Sequence, residues 1–138
     1  MKSKQVLSVE QMKHLQELRL DTSDASMCYC CFYGNIKEEW ELEIYEDVIN
    51  QKRDSTFWEI VPTYTFQDII ELLPKEIKIV TDTYYLTIST YDCDVWSIYY
   101  SMSDEFDYYK EFKSDSLIDA AYEMLCWCIE NGYIKTKE

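Results

Sequence analysis

Ser116-Leu117-Ile118-Asp119-Ala120-Ala121-Tyr122-Glu123-Met124-Leu125-Cys126-Trp127-Cys128-Ile129-Glu130-Asn131-Gly132 is the stretch that decides the fold class. Ser followed three residues later by Asp is a capping-box pattern, and Asn-Gly is a helix stop, so a helix is predicted to run to about Glu130. Leu117, Ile118, Ala121, Met124, Leu125, Cys128 and Ile129 make its apolar stripe. Upstream, from Ile77 to Phe112, the chain is strand-like. Ile77-Lys78-Ile79, Leu86-Thr87-Ile88 and Trp96-Ser97-Ile98-Tyr99-Tyr100 alternate, and Tyr91-Asp92-Cys93-Asp94 and Ser103-Asp104-Glu105 read as hairpin turns. A run of strands closed by a helix points to an antiparallel sheet and an α+β class.

The first half of the chain adds to both layers. Ser8-Val9-Glu10-Gln11 and Thr65-Phe66-Gln67-Asp68 are two more capping boxes. The first opens a helix with Val9, Met12, Leu15 and Leu18 on one side, ending near Arg19. The second opens a short helix with Phe66, Ile69, Ile70 and Leu73 in phase, stopped by Pro74. Met27 to Tyr33, dense in Cys and aromatics, reads as a buried strand. Trp40-Glu41-Leu42-Glu43-Ile44 alternates, which predicts Trp40, Leu42 and Ile44 towards a core and Glu41 and Glu43 towards water. Asn50 to Ser55 is polar and turns the chain towards Phe57-Trp58-Glu59-Ile60-Val61, so these two strands are expected to form a hairpin. The expected fold is an α+β domain over residues 1–138, with one antiparallel sheet of about five or six strands packed by two or three helices.

Composition narrows the function. Twenty-seven acidic residues against thirteen basic ones give a formal charge of −14, while thirteen Tyr, four Trp and five Phe supply ample material for a core. Such a surface repels nucleic acid and anionic membranes and favours basic partners. No run of about 20 apolar residues is present to span a bilayer. Met1-Lys2-Ser3-Lys4 lacks the apolar segment of a signal peptide, so a cytoplasmic location is expected. With two glycines in the chain, Gly34 and Gly132, a glycine-rich phosphate loop is excluded, and no cofactor is expected.

Four constellations carry whatever chemistry the chain has. Cys28, Cys30, Cys31, Cys93, Cys126 and Cys128 lack metal-ligand spacing: residues two apart on a helix diverge by about 200°, so Cys126 and Cys128 do not grip one ion. They read as reduced, buried, small apolar side chains. His14, the one histidine, sits on a polar helix position with no nucleophile at a recognisable spacing. Asp92, Asp94, Asp104 and Asp107 would be candidate ligands for Mg²⁺ or Ca²⁺ if their hairpin ends met, and with it a divalent-metal hydrolase; the plainer reading is turn chemistry. Glu41 and Glu43 head an acidic row that either imitates a nucleic-acid backbone or keeps the protein soluble and its strands apart.

The adjacent pairs Tyr84-Tyr85, Tyr99-Tyr100 and Tyr108-Tyr109 each put one ring away from the core if they lie in strands. Tyr84, Tyr99 and Tyr108, together with Glu41 and Glu43 of the acidic row, are the interface candidates. Tyr is enriched at protein interfaces, and the shortage of flanking Lys and Arg argues against stacking on single-stranded nucleic acid. A second layer of helices on that face is the alternative.

His14-Leu15 through Leu20-Asp21 to Ser26-Met27-Cys28, Pro62-Thr63-Tyr64-Thr65-Phe66 to Leu72-Leu73-Pro74, and Asp115 to Ile134 form a combination. It resembles a family of small uncharacterised proteins encoded by phages, prophages and other mobile elements of gut bacteria. The resemblance spans Leu7 to Ile134 and concerns capping and core patterns, so it implies a fold and an origin but no activity. In that pattern a Gly commonly stands where this chain has Arg19. The expected function is a non-enzymatic accessory protein of a mobile element that contacts a basic or aromatic-binding protein, or a second copy of itself as a homodimer, without nucleic acid or membrane. The alternatives are an acidic nucleic-acid mimic that blocks a DNA-binding host protein, and the metal-dependent hydrolase.

Overall fold

The computed structural model describes residues 4–34, 39–92, 94–102 and 108–137, except for the side chains of residues 91 and 92. Among the described residues four helices and seven strands run in the order α1 (Val9–Glu17), β1 (Met27–Phe32), β2 (Glu41–Ile44), α2 (Tyr45–Gln51), β3 (Trp58–Thr63), α3 (Phe66–Leu72), β4 (Glu76–Ile79), β5 (Asp82–Asp92), β6 (Val95–Ser101), β7 (Tyr108–Ser114) and α4 (Leu117–Glu130). The class is α+β and every strand pairing is antiparallel. The strands divide into two sheets, one ordered β2-β1-β3 and the other β4-β5-β6-β7.

The larger sheet is a meander, in which each strand pairs with the next in sequence. Its inner face carries Ile77, Tyr84, Leu86, Ile98, Tyr100 and Phe112, and α4 lies across it. On its other side α4 packs against α3. A helix covered on two sides must be apolar on two sides. That is why Ala120 and Cys126 are buried beside the expected Ile118, Ala121, Met124, Leu125, Cys128 and Ile129. The same core takes in Val61 and Tyr64 from the end of β3 and Met12 and Leu15 from α1, so one apolar cluster joins both sheets.

The capping boxes of α1 and α3 form as expected. That of α4 forms by half. Ser116 Oγ accepts from the Asp119 N–H at 3.4 Å, but the Asp119 carboxylate turns to α1, accepting from Lys4 Nζ at 2.8 Å and Gln11 Nε2 at 3.0 Å. The N-terminus of α4 is thereby tied to that of α1. Burial pushes the Asp119 carboxyl up, yet these hydrogen bonds hold it below its ordinary value.

Three expectations are corrected. Trp40-Ile44 and Phe57-Val61 do not pair with each other: β2 and β3 flank β1, and α2, a helix that was not expected and that runs up to the start of the polar Asn50–Ser55 stretch, leads the chain away from β2. Leu42 and Ile44 do not face a core but stand 42% and 52% exposed. Conversely Glu43, expected in water, lies on the face of Cys28 that α2 covers with Val48.

Arg19 bears on the helix end. It follows the α1 cap at φ 71°, and the Leu20 N–H reaches the Leu15 carbonyl at 3.1 Å while the Arg19 N–H reaches Gln16 at 2.9 Å. This is a Schellman ending, the same one Gly132 (φ 78°) provides for α4, where Tyr133 N–H meets the Cys128 carbonyl at 2.8 Å. An arginine there carries left-handed strain of about 1–2 kcal/mol that glycine lacks, offset by glycine's larger unfolded-state entropy of about 0.4–1 kcal/mol. Arg19→Gly is expected to raise the melting temperature by about 2–4 °C. A calorimetric scan showing no rise would contradict this account of the helix end.

Candidate functional site

The sheet formed by β4 to β7 has an outer face, opposite α4. Strand registry puts Tyr85, Thr87 and Ser89 of β5, Ser97, Tyr99 and Ser101 of β6, and Tyr108 and Glu111 of β7 on it. Tyr85 is exposed, Thr87, Ser89, Tyr99 and Tyr108 are half-buried, and the small side chains of Ser97 and Ser101 are buried beneath their neighbours; among the described residues no helix packs on this face. The rings of Tyr99 and Tyr108 pack tilted at 41° with their centres 4.3 Å apart, and Ser97 Oγ donates to Glu111 Oε2 at 2.6 Å. Two of the expected interface tyrosines, Tyr99 and Tyr108, therefore come together in the open.

Tyr84 does not join them. It faces the core side, where its ring sits 5.2 Å from that of Tyr109, and Tyr109 in turn lies 5.9 Å from Trp127. Its neighbour Tyr85 takes the outward place. The pairwise rule was right that one ring of each pair turns out, but it leaves open which one. In β7 the shift of register next to Ser101 puts Tyr108 on the outer face beside Ser101 and turns Tyr109 towards Trp127, where it remains 43% exposed.

The acidic row is not uniform. Glu41 is exposed, as are Glu39, Glu46 and Asp47, and none has an ion-pair partner among the described residues. Glu43 is held by Arg53 in a two-pronged pair: Nη1 donates to Oε2, and Nη2 to Oε1 at 2.7 Å. The guanidinium carbon lies 4.7 Å from the Trp58 ring centre, and Gln51 Oε1 accepts from Nε at 3.1 Å. Arg53 holds the Glu43 carboxyl below its ordinary value of 4.5. This knot was not read from the sequence; the one signal for it was an isolated Arg ten residues beyond Glu43.

The knot covers a thiol pair. Cys28 and Cys30 are buried with their sulfurs 3.8 Å apart, and burial pushes the Cys30 thiol up to about 12. Burial likewise raises Cys28, Cys126 and, to about 11, Cys128. A thiol with so high a pKa is a poor nucleophile at neutral pH. Cys31 is buried too, and Cys93 lies outside the described residues.

Of the candidate metal ligands, Asp94 is exposed in the turn between β5 and β6, whereas Asp104, Asp107 and the side chain of Asp92 lie outside the described residues. Among the described residues no three His, Cys, Asp or Glu converge as a metal site. His14 is solvent-facing, with Nδ1 3.8 Å from Glu17 and its ring edge-on to Tyr122 at 6.4 Å. No described helix is long and apolar enough to cross a membrane.

A second open region lies on the smaller sheet. Where Leu42 emerges, an open groove of about 500 Å³ runs between Met27, Phe66 and the segment Lys4-Gln5-Val6. The chain matches no family model, no curated protein and no solved structure.

Proposed function

We propose that this protein acts without catalysing a reaction, by protein–protein contact through the outer face of the β4–β7 sheet, as an accessory protein of a phage or other mobile element. The observation that carries the reading is the uncovered face on which Tyr85, Tyr99 and Tyr108 stand among hydroxyl side chains. Rings fixed on a sheet offer large contact area at little entropic cost, and their hydroxyls give the contact direction. The formal charge of −14 favours a basic protein as the partner. The mobile-element origin rests on the resemblance of the capping and core patterns.

Affinity capture from a bacterial lysate, with low-salt and high-salt washes, tests the reading. The control bait carries Tyr85→Ser, Tyr99→Ser and Tyr108→Ser. A partner that survives the salt wash and is lost, by tenfold or more, with the triple variant is the expected outcome. A partner retained equally by both baits would refute the tyrosine face. Basic nucleic-acid-binding proteins released by salt would move the reading to nucleic-acid mimicry.

A further inference from the structure

β2 is an edge strand, and its backbone shows which groups lie open. The Tyr45 N–H donates to the Ser26 carbonyl at 3.1 Å, one step beyond the Met27–Ile44 pairing. Hydrogen-bonded positions alternate along an antiparallel ladder. Counting back from Tyr45, Glu43 and Glu41 turn their backbone groups to β1, while Leu42 turns its amide and carbonyl outward and Ile44 its amide, the Ile44 carbonyl being taken by the first turn of α2. No described strand receives them.

Natural edges are usually blunted by charge or cover. Here Glu43 is locked against Arg53, leaving Glu41 as the one free charge on the strand. Leu42 and Ile44, with their 42% and 52% exposure, lie on the open face, and the groove beside Leu42 is bordered by Met27 and Phe66. Around this apolar edge stand Glu39, Glu41, Glu46 and Asp47, exposed and without ion-pair partners among the described residues.

We propose that the outer edge of β2 is a strand-addition site for an extended segment of a partner protein in which apolar residues alternate with lysine or arginine. The outward amide and carbonyl of Leu42 and the amide of Ile44 supply the ladder, the side chains of both supply the apolar contact, and the acidic rim selects the basic residues. A second copy of this chain fits less well, because an edge-to-edge pair would set like charges of Glu41 and its neighbours against each other. This surface is separate from the tyrosine face, so each can fail while the other stands.

The probe is a fluorescent peptide of about six residues in which valine alternates with lysine. It is made in two further forms, one N-methylated on every valine and one on every lysine. In strand addition one alternate set of amides points at β2 and the other at solvent, so one methylated form should lose at least tenfold in affinity and the other little. Amide resonances of Leu42 and Ile44 should shift on titration, Ile44→Ser should weaken binding several-fold, and the triple tyrosine variant should bind as the wild type does. Equal behaviour of the two methylated peptides, or no binding at millimolar peptide, would overturn the proposal. So would a concentration-dependent dimer that protects the Leu42 and Ile44 amides, since the edge would then belong to a second copy.

Discussion

Tyr100→Ala is expected to destabilise the protein by about 3–5 kcal/mol, and Tyr100→Phe by about 1–2 kcal/mol. Tyr100 is fully buried on β6, facing α4. Its hydroxyl donates to the Pro74 carbonyl at 2.8 Å, just past α3, and accepts from the Cys128 thiol at 3.8 Å; its ring lies 6.4 Å from Trp127. One side chain thus touches the sheet, the end of α3 and the last turn of α4. Deleting the ring opens a cavity where three elements meet. Deleting the oxygen alone leaves the Pro74 carbonyl without this donor. Chemical denaturation of the two variants measures both losses.

The same residue has a pH signature. Burial pushes the Tyr100 hydroxyl far above its ordinary value of 10, with the Cys128 thiol adding to the rise. A group whose pKa is higher folded than unfolded contributes stability that is intact below the unfolded value and is lost as pH rises beyond it. The wild type should therefore lose stability above about pH 10, and the gap to Tyr100→Phe should narrow there. A gap that stays constant from pH 8 to beyond 10 would show that the hydroxyl does not stay protonated on folding.

The parts of this fold legible in the sequence are those set by local chemistry. Ser8, Thr65 and Ser116 cap helices because a hydroxyl beside a free N–H needs no tertiary context, and the alternation at Trp96–Tyr100 needs only a sheet with one covered face. What was misread depends on neighbours distant in sequence. The alternation at Glu41–Ile44 was genuine, but which face meets protein is decided by α2, whose Val48 packs over Cys28 and Cys30. That brings Glu43 inward to Arg53 and leaves Leu42 and Ile44 outside. Tyr84 and Tyr85 are chemically equal, and only their registry with Ile77 and Ser101 assigns one to the core and the other to solvent. The division into two sheets follows from the same cause: α3 interrupts the strands between β3 and β4.

Glu41→Lys and Glu43→Lys should separate sharply, although the two residues share a strand and a charge. Glu41 is exposed with no ion-pair partner among the described residues, so its reversal should change stability by less than about 0.5 kcal/mol. Glu43 is 28% exposed against an Arg53 that is 17% exposed, between the surface pairs worth up to about 1 kcal/mol and the buried pairs whose disruption costs about 3–5. A lysine there sets two cations together above Trp58, and a loss of about 1–3 kcal/mol is expected. Glu43→Gln tests the electrostatic part without a clash. Because the Glu43 carboxyl is held below 4.5 in the folded protein, its contribution is complete above that pH and disappears as pH falls through the lowered value. The stability gap between wild type and Glu43→Gln should close in acid. The outcome governs how surface variants are interpreted: if Glu43→Lys weakens partner capture and Glu41→Lys does not, the loss reports a damaged α2 side of the sheet and not a charge the partner reads. If Glu41→Lys alone abolishes capture in a protein of unchanged stability, the free acidic rim beside β2 is what the partner recognises.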